Sequence, residues 1–305
     1  MRKIKYPFYN QDLTIDINKL EAFKNEYLLL FSKKFKDDID KFSIKIDSNL
    51  NHQKILCSTF PELINLALKF NNNCHNWNSL NDLFKTETDF KYKNKRSDIL
   101  NFIVNQNINI KSCHYCNIDF INFFKEEDNV SDHSTFDHVL PKVKFPFLSL
   151  SFFNLVPCCY SCNSKFKGTD EFIISDSLKK IIPSSEEYQL NDLMDFQLKF
   201  TDKAEIIKQD DIKIHLTNLT KFESVDEFIR IFKLKGRYEF HKDISFDIIK
   251  KRKIYSDSQI KEIANLLNRD VQSIKEDIFG KECFESNNEP FEKYKQDIAK
   301  QLGLI

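Results

Sequence analysis

Cys113-His114-Tyr115-Cys116, then Asp137-His138-Val139-Leu140-Pro141, then Asn154-Leu155-Val156-Pro157-Cys158-Cys159-Tyr160-Ser161-Cys162-Asn163 form the stretch on which the reading of this chain turns. Two Cys-x-x-Cys pairs enclose an Asp-His pair and an asparagine, and a second asparagine directly follows the last cysteine. Cys-x-x-Cys spacing lets two thiolates reach one ion from a tight knuckle. Two such knuckles supply the four ligands of a tetrahedral zinc site. Cys113, Cys116, Cys159 and Cys162 are therefore the expected zinc ligands, and the competing reading is four buried free thiols. Cys158 is one residue out of register and is expected to pack as a small apolar group. With every position taken by protein, this zinc would staple the fold and not catalyse.

Working outward, the 305 residues suffice for one large domain or two modest ones. Gly and Pro are scarce (4 and 7), which favours helices over a turn-rich β sandwich. Thirty Phe supply apolar surface for a core. The formal net charge is zero, so nucleic-acid binding has to rest on local patches and not on the whole chain. No apolar run approaches membrane-spanning length. The start, Met1-Arg2-Lys3-Ile4-Lys5-Tyr6-Pro7, has no apolar signal core, which predicts a cytoplasmic protein whose cysteines are thiols.

Three segments are expected. Residues 1–110 read as helical, with Ile17, Leu20, Phe23, Tyr27, Leu28 and Phe31 on one face behind Asp16 as N-cap. A second helix is expected over about 53–72, opened or kinked at Pro61. The run Lys91 to Arg96 is basic and carries Tyr92. Cys57, Cys74 and His75 lack metal-ligand spacing. Residues 111–170 are the motif module. Residues 171–305 begin with Ile181-Ile182-Pro183-Ser184-Ser185, expected to be a linker. Two alternating strands over Phe196–Phe200 and Ile212–Leu216 and a helical remainder follow. Lys233 to Lys253 carries eight basic and three acidic residues. Helices ending at Leu267 and starting at Val271 could form a DNA-reading helix-turn-helix or a plain helical hairpin. The fold class expected is α+β, mainly helical, with helical flanks and a small accessory sheet around the zinc-stapled centre.

The polar residues inside the clamp carry the chemistry. Neighbours on a strand face opposite ways, so Asp137 and His138 serve one cleft only where the backbone twists them together. His138 suits a general base near neutral pH. Asn163, fixed by the adjacent zinc ligand, can share a hard cation, Mg²⁺ or Mn²⁺, with Asp137. The plain alternatives are a helix cap for Asn163 and a turn for Asn154. Asp132-His133 repeats the Asp-His pair, which keeps His133 as a minor alternative base.

The pattern Cys-x-x-Cys, Asp-His-Val-x-Pro, Asn-Leu-Val-x-x-Cys-x-x-Cys-Asn resembles the HNH endonucleases with a four-cysteine zinc frame, which share the ββα-metal fold. The resemblance covers about 113–168. It implies that His138 is the general base, that Asp137 and Asn163 bind the catalytic metal, and that Asn154 pins the loop bearing the base. The family often places Lys three residues after that last Asn. Here position 166 is Phe, flanked by Lys165 and Lys167. Phe136-Asp137-His138-Val139-Leu140-Pro141-Lys142 with Phe145-Pro146 is similar to HNH subunits of Septu-type and retron-linked antiphage defence systems, which work beside an ATPase.

The function expected is thus metal-dependent cleavage of DNA, double-stranded in the first instance. Lys142, Lys144, Lys165 and Lys167 would line the backbone, and Lys250 to Lys253 would extend the grip. The alternatives are a zinc-stapled binding module without catalysis, and a subunit silent without its ATPase partner.

Overall fold

A computed structural model of the chain describes residues 1–126, 129–200 and 208–305. It is α+β, with helices forming most of the structure and three separate two-stranded antiparallel sheets among the described residues. Helices α1 (Ile17–Leu28), α2 (Lys33–Ser43), α3 (His52–Cys57), α4 (Phe60–Asn72), α5 (Asn78–Thr86) and α6 (Tyr92–Asn105) come first. Strands β1 (Phe123–Glu126), β2 (Asn129–Asp132), β3 (Thr135–His138) and β4 (Leu155–Cys158) follow, and then a π-type turn of helix over Ser161–Lys167. After short helices α7 (Leu178–Ile181) and α8 (Leu190–Leu193) come β5 (Met194–Phe200) and β6 (Ile212–Asn218). The chain closes with α9 (Glu223–Ile231), α10 (Leu234–Phe240), α11 (Lys242–Ile254), α12 (Asp257–Leu267), α13 (Val271–Phe279) and α14 (Glu292–Gln301). None of the described helices is long and apolar enough to cross a membrane.

Local chemistry sets the helix starts. The Asp16 carboxylate accepts from the Asn18 and Lys19 amides and opens α1. The expected helix over 53–72 is two helices. Cys57 ends α3, and the Glu62 carboxylate accepts from the Thr59 amide at 2.8 Å while Pro61 sits in the first turn of α4. A capping carboxylate and a proline both mark a start, so the break falls before Phe60. The alternating segments pair as β5 and β6, in the register Phe196↔Leu216 and Leu198↔Ile214.

The expected linker at 181–185 is instead core. Ile181, Ile182, Ser184 and Ser185 are all buried. The Ser184 hydroxyl donates to the Phe153 carbonyl at 2.6 Å, and the Ile4 amide donates to the Pro183 carbonyl at 2.9 Å. The Pro-Ser-Ser signature marks a turn, but satisfied hydroxyls let that turn lie inside the molecule.

One buried cluster runs through residues 1–110, 111–170 and 171–305. Three aromatic groups within it anchor the central module. Phe152 and Phe153 pack among Tyr6, Phe23, Tyr27 and Phe102 of the N-terminal segment. Phe145 and Phe147 pack against Phe70, and Phe147 also packs against Trp77. The Tyr115 ring stacks on Phe232 at 4.4 Å and meets Phe228 edge-on. Aromatic contacts add to the burial of large apolar area, so these groups fix the segments that carry polar side chains.

Candidate functional site

The four expected zinc ligands come together. The sulfurs of Cys113, Cys116, Cys159 and Cys162 all lie within 4.8 Å of one another, and all four residues are buried. The Sγ atoms of Cys116 and Cys159 are 4.0 Å apart. Tetrahedral thiolate ligation at a Zn–S distance of about 2.3 Å requires sulfurs about 3.8 Å apart, so the donor set fits a metal such as zinc. The surroundings suit negative sulfur. Ile118 N–H points at the Cys116 sulfur (3.4 Å) and Cys162 N–H at the Cys159 sulfur (3.3 Å). Arg237 of α10 places Nη1 3.3 Å from the Cys162 sulfur and Nη2 3.2 Å from Asp119. Sequence reading missed Arg237, because nothing local marks a charge that acts from 75 residues away. Cys158 stands outside the cluster, its sulfur 3.6 Å from the Thr135 hydroxyl.

The first knuckle also serves the polar centre. Tyr115, between two of the cysteines, donates its hydroxyl to Asp137 Oδ2 at 2.7 Å. Lys167 Nζ donates to Asp137 Oδ1 at 2.7 Å and to the His138 carbonyl at 3.1 Å. Tyr115 was likewise not singled out from the sequence, although its place within the Cys-x-x-Cys is a signal.

β3 pairs antiparallel with β4, with Asp137 opposite Val156 and His138 opposite Leu155. Asp137 and His138 nonetheless line the same cleft. This cleft has a volume of about 370 Å³ and also takes in Tyr92, Lys142, Asn163 and Lys167. His138 Nε2 lies 3.0 Å from the Ser149 carbonyl. A carbonyl only accepts, so Nε2 carries the proton and Nδ1 keeps its lone pair. The Tyr92 ring meets the imidazole edge-on at 4.7 Å. Burial pushes the His138 pKa down to about 4, against the opposing pull of the Asp137 carboxylate. The ring is therefore neutral at neutral pH, with one nitrogen free to accept a proton.

Asn154 is fully buried and ties the loop after His138 at both ends. Its Oδ1 accepts from the Leu140 amide at 2.7 Å, and its Nδ2 donates to the Leu140 and Leu148 carbonyls at 3.0 Å each. The isosteric Asn154→Asp change replaces this donor with a group that only accepts and faces it toward two carbonyls. It is expected to lower stability by about 2–4 kcal/mol, read as a fall in the urea or thermal midpoint. An unchanged midpoint would show that the loop is held some other way.

Asn163 follows the last cysteine inside the π-type turn. Its Nδ2 donates to the Phe136 carbonyl at 3.3 Å, which leaves its amide oxygen as the group offered to the cleft. The donor set of the cleft, one carboxylate and one amide oxygen, suits a hard cation such as Mg²⁺ or Mn²⁺.

The four candidate lysines divide. Lys167 is buried in the centre, and Lys142 lies on the cleft rim. Lys144 is exposed and pairs with Glu171, while Lys165 is exposed and does not line the cleft. His133 lines a separate hollow with Tyr160 and His241 and does not meet Asp137. Of the basic run in the C-terminal segment, Lys250 pairs with Asp247 and Arg252 with Asp257, and none of the run lines the cleft. In the α12–α13 hairpin, Arg269 pairs with Asp277. The chain matches no protein-family model, no curated protein and no solved structure.

Proposed function

We propose that the chain is a metal-dependent endonuclease of the HNH type that hydrolyses DNA phosphodiester bonds. The observation that carries this reading is the His138 imidazole, neutral, buried and fixed so that Nδ1 is free, in one cleft with Asp137 and Asn163. In this reading the His138 Nδ1 takes the proton from a water that attacks phosphorus, the bond from phosphorus to the leaving sugar oxygen breaks, and that oxygen takes a proton from solvent. Asp137 and Asn163 hold a divalent cation, which supplies positive charge at the scissile phosphate. Asn154 keeps the loop at Leu140 and Leu148 in place, and the zinc frame fixes Tyr115 and Asn163 relative to β3. The β3–loop–β4 hairpin followed by the turn that bears Asn163 supports a ββα-metal arrangement.

The charges around the cleft support the need for a cation. Its charged lining residues are Lys142 and Lys167 against Asp137, Asp170 and Glu171. Ion pairs take up most of this charge, Lys167 with Asp137, Lys144 with Glu171 and Arg230 with Asp170, so a bound divalent ion would supply the positive charge that a phosphate needs. The same balance favours a partner that supplies further grip on nucleic acid. The resemblance of residues 136–146 to Septu-type and retron-linked HNH subunits extends the proposal to an antiphage complex with an ATPase.

The reading is tested by titrating Mn²⁺ into single-turnover cleavage of a labelled duplex. Asp137→Asn and Asn163→Ala are each expected to raise the Mn²⁺ concentration needed for half-maximal rate by roughly tenfold or more, since each removes one of two protein ligands. Identical Mn²⁺ curves for wild type and both variants would remove these residues from metal binding.

A further inference from the structure

We propose that Lys167 is a built-in counter-cation of the metal site, whose ammonium holds the Asp137 carboxylate until a divalent ion takes its place. The inference rests on the reading of Asp137 as a metal-binding carboxylate and adds how that site is loaded.

Lysine is among the residues least often fully buried, and it is buried when paired. The Lys167 and Asp137 side chains are only 4% and 5% exposed, with Nζ 2.7 Å from Oδ1. The pair is not sealed in the core, because both residues line the cleft that also holds His138 and Asn163. The backbone is shaped to deliver this lysine. The turn over Ser161–Lys167 is closed by the Gly168 amide on the Asn163 carbonyl at 2.9 Å, a five-residue step wider than an α-helical turn. Such widened turns accompany functional sites. Here it carries Lys167, four residues beyond Asn163, back to Asp137. The intervening Phe166 ring lies under the Arg237 guanidinium, 4.9 Å away. Gly168 then leaves the turn at φ +51°, ψ −112°, a conformation open to glycine and strained for other residues.

An ammonium and a divalent ion on one carboxylate repel each other strongly in a partly buried site. The two occupancies therefore exclude each other. Before metal arrives, Lys167 neutralises Asp137, which would otherwise be a buried charge facing only the Tyr115 hydroxyl. Once displaced, the ammonium remains in the cleft within reach of the His138 carbonyl, where an incoming phosphate is its next partner. This accounts for a lysine at position 167 where the family resemblance pointed to 166.

The test uses the full zinc-loaded chain and Mn²⁺. Mn²⁺ binding is followed by electron paramagnetic resonance for wild type, Lys167→Met and Asp137→Asn. Acylation of lysines by acetic anhydride is measured by mass spectrometry on the wild type, with and without Mn²⁺, taking exposed Lys165 as internal reference. Lys167→Met is expected to bind Mn²⁺ roughly tenfold or more tightly than wild type. Mn²⁺ is expected to raise labelling of Lys167 several-fold, in order-of-magnitude terms, and to leave Lys165 unchanged. Should Lys167→Met fail to fold, the labelling of the wild type decides. Equal or weaker Mn²⁺ binding by a folded Lys167→Met, or Lys167 labelling that does not rise with Mn²⁺, overturns the displacement. If Asp137→Asn binds Mn²⁺ as wild type does, the metal-site reading itself falls.

Discussion

Replacing Cys113 or Cys162 by serine is expected to unfold the centre of the protein and not merely to trim its activity. A serine hydroxyl does not take the place of a thiolate, and three sulfurs left in a buried cluster would lose a zinc that joins the two knuckles. Structural zinc sites in small peptides bind with about 10–16 kcal/mol, and that energy is folding energy. The net stability of a whole domain is only about 5–15 kcal/mol. Loss of one ligand should therefore lower zinc content from about one per chain toward zero. It should also abolish or sharply lower the cooperative melt followed by circular dichroism. Cys158→Ala is the internal control. Cys158 lies outside the cluster and touches the Thr135 hydroxyl, so this variant should keep its zinc and melt a few degrees lower, on the order expected for a small core truncation. A Cys113→Ser protein that melts like wild type would show that the four sulfurs pack without metal.

His138→Ala is expected to stop cleavage while leaving the fold intact. The ring's fixed contacts are one hydrogen bond to the Ser149 carbonyl and the edge of Tyr92, so its removal costs little structure. Loss of a general base lowers rates by roughly 10²–10⁴-fold. The expected result is a fall of that size in single-turnover rate, with zinc content and duplex binding unchanged. His133→Ala serves as comparison, because His133 faces a different hollow and its loss should leave the rate as it is. Undiminished cutting by His138→Ala would place the base elsewhere.

The parts of this site that were legible in the sequence were those written in short spacings. Four cysteines at Cys-x-x-Cys intervals announce one cluster that could hold a metal, and the four sulfurs do come together. Alternation over Phe196–Phe200 and Ile212–Leu216 announces two strands of a small sheet, and the two pair antiparallel as β5 and β6. What could not be read was whatever depends on the chain meeting itself at long range. Tyr115 reaches Asp137 across 22 residues and Arg237 reaches Cys162 across 75. Tyr92 arrives from α6, where the sequence marks it only as the aromatic residue of a basic run. The segment at 181–185 carries turn residues and was expected to be a linker. Its burial follows from Ile4 and Phe153, neither of which is near it in sequence. The position of Lys167 depends on one widened helical turn, a backbone detail that side-chain periodicity does not encode.

The four-cysteine cluster and the polar centre are one unit for a simple reason. The first knuckle supplies Tyr115, whose hydroxyl holds Asp137, and the second supplies Asn163, which lines the cleft. Disturbing the metal frame is therefore expected to disturb the cleft, whereas changing the cleft should leave the frame alone.

The measurement that bears most directly on the central claim is plasmid cleavage by the purified, zinc-loaded wild-type chain, with Mg²⁺, with Mn²⁺ and with a chelator in excess of either. The account predicts nicked or linear product with the divalent ions and none with the chelator, while the zinc stays bound. Intact plasmid under every condition, from a folded protein holding its zinc, would contradict a nuclease that acts unaided. Cleavage that persists in chelator would contradict the role given to Asp137 and Asn163.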